Sequence, residues 1–215
     1  MRLIAIRHGE TEWNVQGREM GQLDSPLTPR GRRQAQAIAD RLSREYFSAL
    51  YCSDLGRAVE TAEIVAAASG VRAVVNIGLR ERHMGIFQGL TKAEMAQRYP
   101  SEYSAYRRLG HSYQIPNGES GQQRLDRSVR VFSALASEHV EGTIIAITHG
   151  GFLMGFFEHV LGLGPGNGWR FKKQNAAYNC FEFASGRWSL ETWNDTSHLQ
   201  SLGSLNDPTA QEGVD

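Results

Sequence analysis

Leu3-Ile4-Ala5-Ile6-Arg7-His8-Gly9 decides how this chain is read. Four consecutive apolar residues match a strand buried on both faces, the kind found in parallel sheets covered by helices. The run ends in a cation and an imidazole. In open α/β sheets ligands bind outside the carboxyl ends of the strands. The layout returns late in the chain, where Ile144-Ile145-Ala146-Ile147 leads into Thr148-His149-Gly150-Gly151. Two strands that each end in His-Gly predict two histidines delivered to one site.

Working outward, strand and helix patterns alternate, which predicts an α/β fold with a mainly parallel sheet. Thr28-Pro29 reads as an N-cap followed by proline at the first helical position, with Ala35, Ile38, Ala39 and Leu42 at helical spacing behind it. Residues 49–52 read as a second strand. Ser53 or Asp54 is placed to cap a helix carrying residues 57–68, which Gly70 closes. The β-branched stretch 71–77 reads as a third strand. Leu125, Val129, Phe132, Leu135 and Ala136 mark another helix. Residues 143–148 form the most apolar strand, expected to be central, and 152–160 an apolar helix. Residues 178–183 and 188–193 flank Ala184-Ser185-Gly186-Arg187 as a hairpin.

Residues 79–119 break the alternation. They hold Gly85, Gly89, Pro100, Gly110, Pro116 and Gly118, with short helical stretches near 92–99 and 102–109. A long, weakly regular segment inside a domain is usually functional, so it reads as an insertion lying over the site. From about Leu199 the chain turns polar, giving one domain over 1–199 and a loose tail over 200–215.

Composition bounds the function. Lys+Arg and Asp+Glu number 23 each among 215 residues, so no global field favours nucleic acid or an anionic membrane. An anion site must be a local cluster of arginines. Cys52 and Cys180 sit in apolar runs without a C-x-x-C or zinc-type spacing, which predicts buried free thiols and a reducing, cytoplasmic setting. The four apolar residues before Arg7 are too few for a signal peptide, and no run approaches a membrane span. His8-Gly9-Glu10 has the H-x-E look of a zinc deaminase, but no P-C-x-x-C follows. Neither H-E-x-x-H nor a Walker A loop is present.

Four segments then combine in order: Arg7-His8-Gly9-Glu10-Thr11-Glu12-Trp13-Asn14; Ser53-Asp54-Leu55-Gly56-Arg57-Ala58-Val59-Glu60-Thr61-Ala62; Leu79-Arg80-Glu81-Arg82-His83-Met84-Gly85-Ile86-Phe87-Gln88-Gly89-Leu90-Thr91; and Thr148-His149-Gly150-Gly151. Together they resemble the histidine phosphatase superfamily, also called phosphoglycerate-mutase-like, over about residues 1–199. The resemblance implies a three-layer α/β/α architecture with the insertion over the active site. It implies that His8 is the nucleophile, phosphorylated and dephosphorylated in each turnover. It implies that Arg7, Arg57 and His149 hold the phosphoryl group, with Asn14 and Gly150 as further contacts. Glu81 is implied as proton donor, with Glu10, Glu12 and Glu119 as alternatives. No cofactor and no metal are implied.

Physical chemistry supports these roles. A phosphate ester brings up to two negative charges, and its transfer needs charge stabilisation and alignment. Two guanidiniums offer planar, bidentate donors. Neutral imidazole is a good nucleophile when its other nitrogen is held by an acceptor such as a backbone carbonyl. The leaving alkoxide needs a proton, so a carboxylic acid must carry one when it acts. An arginine at a helix start is opposed by the macrodipole, which points to an anion partner for Arg57. His83, His111, His139, His159 and His198 read as surface or structural residues, and Trp13 and Tyr178 as packing.

Two branches compete. Glu81-Arg82-His83-x-Gly85 with Gly89-Leu90-x-Lys92 is similar to cofactor-dependent phosphoglycerate mutases, and Arg107-Arg108 resembles their carboxylate-gripping pair, with Tyr106 where tryptophan is usual. The segments from Gly21 to Thr28 and from Asn194 to Leu199 resemble the phosphatase branch. Arg82, Arg107, Arg108 and Tyr113 are candidates to meet a carboxylate or second phosphate; the competing reading makes at least two of them a solvated helix face. The expectation is a metal-independent phosphomonoesterase acting through phosphohistidine on small phosphorylated metabolites. The alternative is a 2,3-bisphosphoglycerate-dependent phosphoglycerate mutase. Its partner is then a small phosphorylated substrate, with no nucleic acid and no membrane, and an edge strand in the C-terminal half offers a surface for a homodimer.

Overall fold

The two strands that end in His-Gly lie side by side at the middle of a sheet. The structure, a computed structural model, describes residues 1–164 and 167–202, without the side chains of His111, Asn167 and Trp169. Strands β1 (Arg2–Arg7), β2 (Ala49–Cys52), β3 (Ala73–Val75), β4 (Thr143–Thr148), β5 (Tyr178–Ala184) and β6 (Arg187–Asp195) form one sheet in the order β3-β2-β4-β1-β5-β6. The first four run parallel, and β5 and β6 add an antiparallel flank. The flank makes the sheet mixed, around the parallel centre the apolar runs predict.

The helices are α1 (Glu12–Val15), α2 (Pro29–Leu42), α3 (Gly56–Ser69), α4 (Lys92–Arg98), α5 (Pro100–Leu109), α6 (Gly121–Glu138) and α7 (Gly150–Val160). The period-2 alternation of the central strands sorts them into two layers. Ile4, Ile6, Ile145 and Ile147 face Ile38 and Leu42 of α2 and Ala62 and Val65 of α3. Leu3, Ala5, Ile144 and Ala146 face Phe132 of α6 and Phe152 and Phe156 of α7. With both faces covered, continuous apolar strands are what the sheet requires. The result is the three-layer α/β/α arrangement.

Local chemistry explains most boundaries. Thr28 caps α2 through Gly31 N, with Pro29 at its start. Gly70 closes α3 at φ 74°. Ser185 and Gly186 carry positive φ in the tight turn between β5 and β6. Three expectations need correction. The strand expected over 71–77 shrinks to an edge strand, Ala73–Val75, because Val74 and Val75 find no covering layer and stay exposed. Neither Ser53 nor Asp54 caps α3: Leu55 holds the N-cap position without a side-chain bond, and Asp54 pairs with Arg80 instead. The chain does not loosen at Leu199, which is fully buried within a 3-10 helix, Ser197–Leu202. The rest of the expected tail, 203–215, lies outside the described residues.

Residues 79–119 carry α4 and α5 around a small core of their own, Met84, Phe87, Leu90, Met95 and Ile115. Among the described residues no helix is long and apolar enough to cross a membrane.

Candidate active site

Register brings the two histidines together. Arg7 of β1 pairs with Thr148 of β4, and His8 N donates to Thr148 O at 2.9 Å. The next residue on each strand is therefore a histidine at the same height, and the ring centroids of His8 and His149 lie 5.2 Å apart. Both are buried.

His8 is held in one tautomer. Its Nδ1 lies 2.8 Å from the carbonyl of Gly9, which only accepts, so Nδ1 carries the proton. Nε2 is then the lone-pair nitrogen, and it accepts from Arg57 Nε at 3.2 Å. Burial, reinforced by Arg57 and Arg7, pushes the His8 pKa well below its ordinary value, so the ring is neutral near pH 7. Burial together with Arg57, His8 and Arg7 does the same to His149, whose two ring nitrogens have no hydrogen-bond partner among the described residues.

The loop after β1 is pinned from distant parts of the chain. Gly9 N donates to Thr61 Oγ1 at 3.1 Å, Asn175 Nδ2 to His8 O at 2.9 Å, and Ala176 N to Arg7 O at 2.9 Å. Asn14 accepts through Oδ1 from Thr11 N and from Asn175 Nδ2. That arrangement leaves its Nδ2 donor for the cavity, whose wall it joins.

Arg57 starts α3, where the helix lacks a local cap. Asp24 supplies one from the preceding loop, accepting from Gly56 N and, at 3.3 Å, from Arg57 N. The guanidinium is tied by Nη1 to Leu23 O (2.8 Å) and Asp24 Oδ1 (3.1 Å), and by Nη2 to Gly21 O (2.8 Å). Arg7 donates through Nη1 to Lys173 O at 2.6 Å.

Glu81 closes the site from the insertion. Its Oε2 accepts from Gly151 N at 2.7 Å, and Oε1 from Phe152 N at 2.9 Å and Arg82 N at 2.7 Å. It thereby caps α7, which His149 begins without a side-chain bond of its own. Gly151 leaves room for this carboxylate, since a Cβ there would push Oε1 of Glu81 aside. The rival acids stand elsewhere. Glu119 is gripped by Arg127 and by His83 N; burial alone would raise its pKa, but these partners outweigh it and hold the carboxyl low. Glu10 accepts from Thr28 Oγ1, and Glu12 is exposed on α1.

A cavity of about 330 Å³ collects Arg7, His8, Asn14, Arg57, Glu81 and Gly150 on its wall. His149 stands behind them, packed on His8. The specificity candidates are not brought in. Arg82 is buried over the ring of Tyr106, 5.7 Å from its centroid, with Nε on Glu119 O. Arg107 and Arg108 are exposed at the end of α5, and Tyr113 packs on Tyr106. None of the four lines the cavity. The remaining histidines are structural where described: His139 meets Tyr51 OH, and His198 the carbonyl of Ala176. The side chain of His111 lies outside the described residues.

Sequence reasoning missed Asp24, Asn175, Thr61 and Lys173 as parts of the site. Only Asp24 had a signal, the cation at the start of α3 that calls for an anionic partner.

The profile of the histidine phosphatase superfamily (branch 1) matches residues 3–196. A metal-independent phosphoserine phosphatase of Arabidopsis thaliana is 37% identical over 206 residues, covering 94% of this chain and 85% of its own length. Phosphoglycerate mutase-like protein 4 of the same plant is 37% identical over 207 residues, covering 94% and 89%. The crystal structure of a phosphoserine phosphatase mutant from Entamoeba histolytica, in complex with phosphoserine, superposes with a TM-score of 0.83 at 28% identity, covering 92% of this chain and 98% of that one.

Proposed function

Because the chain belongs to the histidine phosphatase superfamily and is a metal-independent phosphoric monoester hydrolase, we propose that it works through a phosphohistidine on His8 and that phosphoserine is its substrate. The carrying observation is the lone pair of His8 Nε2, fixed by the Nδ1 bond to Gly9 and directed to the cation-lined end of the cavity.

In the first step Nε2 attacks phosphorus and the ester P–O bond breaks. Arg7, Arg57, Asn14 and the start of α7 at Gly150 stabilise the charge on the equatorial oxygens. His149, neutral before binding, has a free nitrogen with which to meet an oxygen. Glu81 gives its proton to the departing alkoxide. In the second step water attacks the phosphohistidine, Glu81 takes the water's proton, and the N–P bond breaks to release phosphate and restore His8.

The 37% identical phosphoserine phosphatase relative and the phosphoserine-bound structure of similar fold support the substrate. Arg107 and Arg108 are exposed and outside the cavity lining, which supports the phosphatase over the mutase alternative. We place the enzyme in the cytoplasm, where its two buried free thiols, Cys52 and Cys180, stay reduced.

Rapid-quench with phosphate-labelled phosphoserine should trap acid-labile, alkali-stable label on the protein, absent in His8→Ala. A panel of esters in chelator, with 3-phosphoglycerate included and 2-phosphoglycerate assayed, should give free phosphate and no isomer. Isomer formation dependent on 2,3-bisphosphoglycerate would replace this reading with the mutase.

A further inference from the structure

The inner end of the cavity reads the phosphoryl group, so the alcohol must be read by the outer wall. Whereas Lys173 belongs to the phosphoryl end, its carbonyl on Arg7 and its side chain against Gly150, residues 17–20 and the start of α4 form that wall. Glu19 stands out on it. Its backbone is fixed on both sides: N donates to Leu90 O at 3.0 Å, and O accepts from Gly89 N at 2.7 Å. Its exposed carboxylate makes no hydrogen bond and no ion pair among the described residues. The adjacent cation does not neutralise it. Arg18 is committed to Glu94 at 2.6 Å, to Gly89 O at 2.8 Å and to Gln16 at 3.1 Å.

A free carboxylate on the wall of a phosphate site repels a dianionic substrate. The repulsion turns to attraction when the alcohol itself carries a cation. Lys173, at the phosphoryl end, feels the charge of Glu19 as well as those of Arg7 and Glu81, which places the Glu19 carboxylate within electrostatic reach of the site. An acidic group on the wall beyond an arginine-lined phosphoryl end fits a substrate that carries an ammonium as well as a phosphate.

We infer that Glu19 binds the ammonium of a phosphorylated amino acid, so that the enzyme selects amino-acid phosphates over the matching hydroxy-acid phosphates. This rests on the phosphatase reading above and adds what distinguishes one substrate class from the other.

The test compares phosphoserine with 3-phosphoglycerate, which differ by an ammonium in place of a hydroxyl. In Glu19→Gln the kcat/KM ratio of phosphoserine to 3-phosphoglycerate should fall about tenfold, the scale of a lost charge-assisted bond. The fall should come from a loss on phosphoserine and a gain on 3-phosphoglycerate. In Glu19→Lys the fall should be larger. An unchanged ratio in both variants would overturn the inference, as would a parent enzyme that prefers 3-phosphoglycerate. Failure of the parent to release phosphate from any ester would instead overturn the phosphatase reading itself.

Discussion

Arg57 and His8 share a hydrogen bond that the proposed attack on phosphorus must break: the guanidinium Nε donates to the imidazole Nε2 at 3.2 Å. The other two nitrogens of Arg57 are anchored to Gly21, Leu23 and Asp24. The donor therefore stays in place when a phosphate arrives, and an incoming oxygen takes over the N–H that the nucleophile releases. Such donors need no reorganisation as charge develops.

Arg57→Ala should lower kcat/KM by about 10²–10³-fold, the cost of removing one preorganised donor. Arg57→Lys should recover little, because an ammonium cannot hold the three anchors and the nucleophile together. A lysine variant as active as the parent would show that charge alone suffices.

Asp24 acts through Arg57 and through the start of α3. Asp24→Ala should cost about 1 kcal/mol of stability from the lost cap and lower kcat as well. Asn caps as well as Asp, so Asp24→Asn should keep the melting temperature while kcat stays depressed. Equal recovery of both would assign Asp24 a purely structural role.

The role of Glu81 is legible in the leaving group. Glu81→Gln keeps an oxygen for the α7 amides but cannot supply a proton. Hydrolysis of alkyl phosphates should fall by about 10²–10⁴-fold. An aryl phosphate, whose phenolate departs without help, should suffer far less. Equal losses on both would move the acid elsewhere.

Stability should track the two buried histidines. Both are held neutral well below 6.5 in the folded protein, while in the unfolded chain they titrate near that value. Below pH 6.5 the unfolded chain binds more protons, so stability is full above that pH and declines as pH falls. Each histidine contributes up to about 1.4 kcal/mol per pH unit. Thermal melts of the ligand-free protein from pH 7.5 to 5.5 should show this slope, and His149→Gln should make it shallower. An identical slope in that variant would remove His149 from the account.

The sheet and the motif residues were legible because they are written locally. Apolar runs marked β1 and β4, and their shared ending placed two histidines at one rim before any register was known. What escaped acts over distance. Asp24 reaches Arg57 across 33 positions and Asn175 reaches His8 across 167, and no periodicity records such a pairing. The stretch 71–77 has strand propensity, but an edge position trims it to Ala73–Val75. Leu199 is a lone apolar residue in polar sequence, and only the fold shows that it is buried. The pair Arg107-Arg108 resembles a substrate grip, yet the helix that carries it turns both side chains to solvent.

The proposed nucleophile, His8, follows the first strand, but that strand is finished by segments from far along the chain. β1 is flanked by β4 on one side and β5 on the other, with Leu3 opposite both Ile144 and Phe181. The strand that ends at His8 is not enclosed on both sides until Tyr178–Ala184 joins the sheet. Folding should therefore complete the catalytic rim as one of its later events, when long-range pairing closes the centre of the sheet.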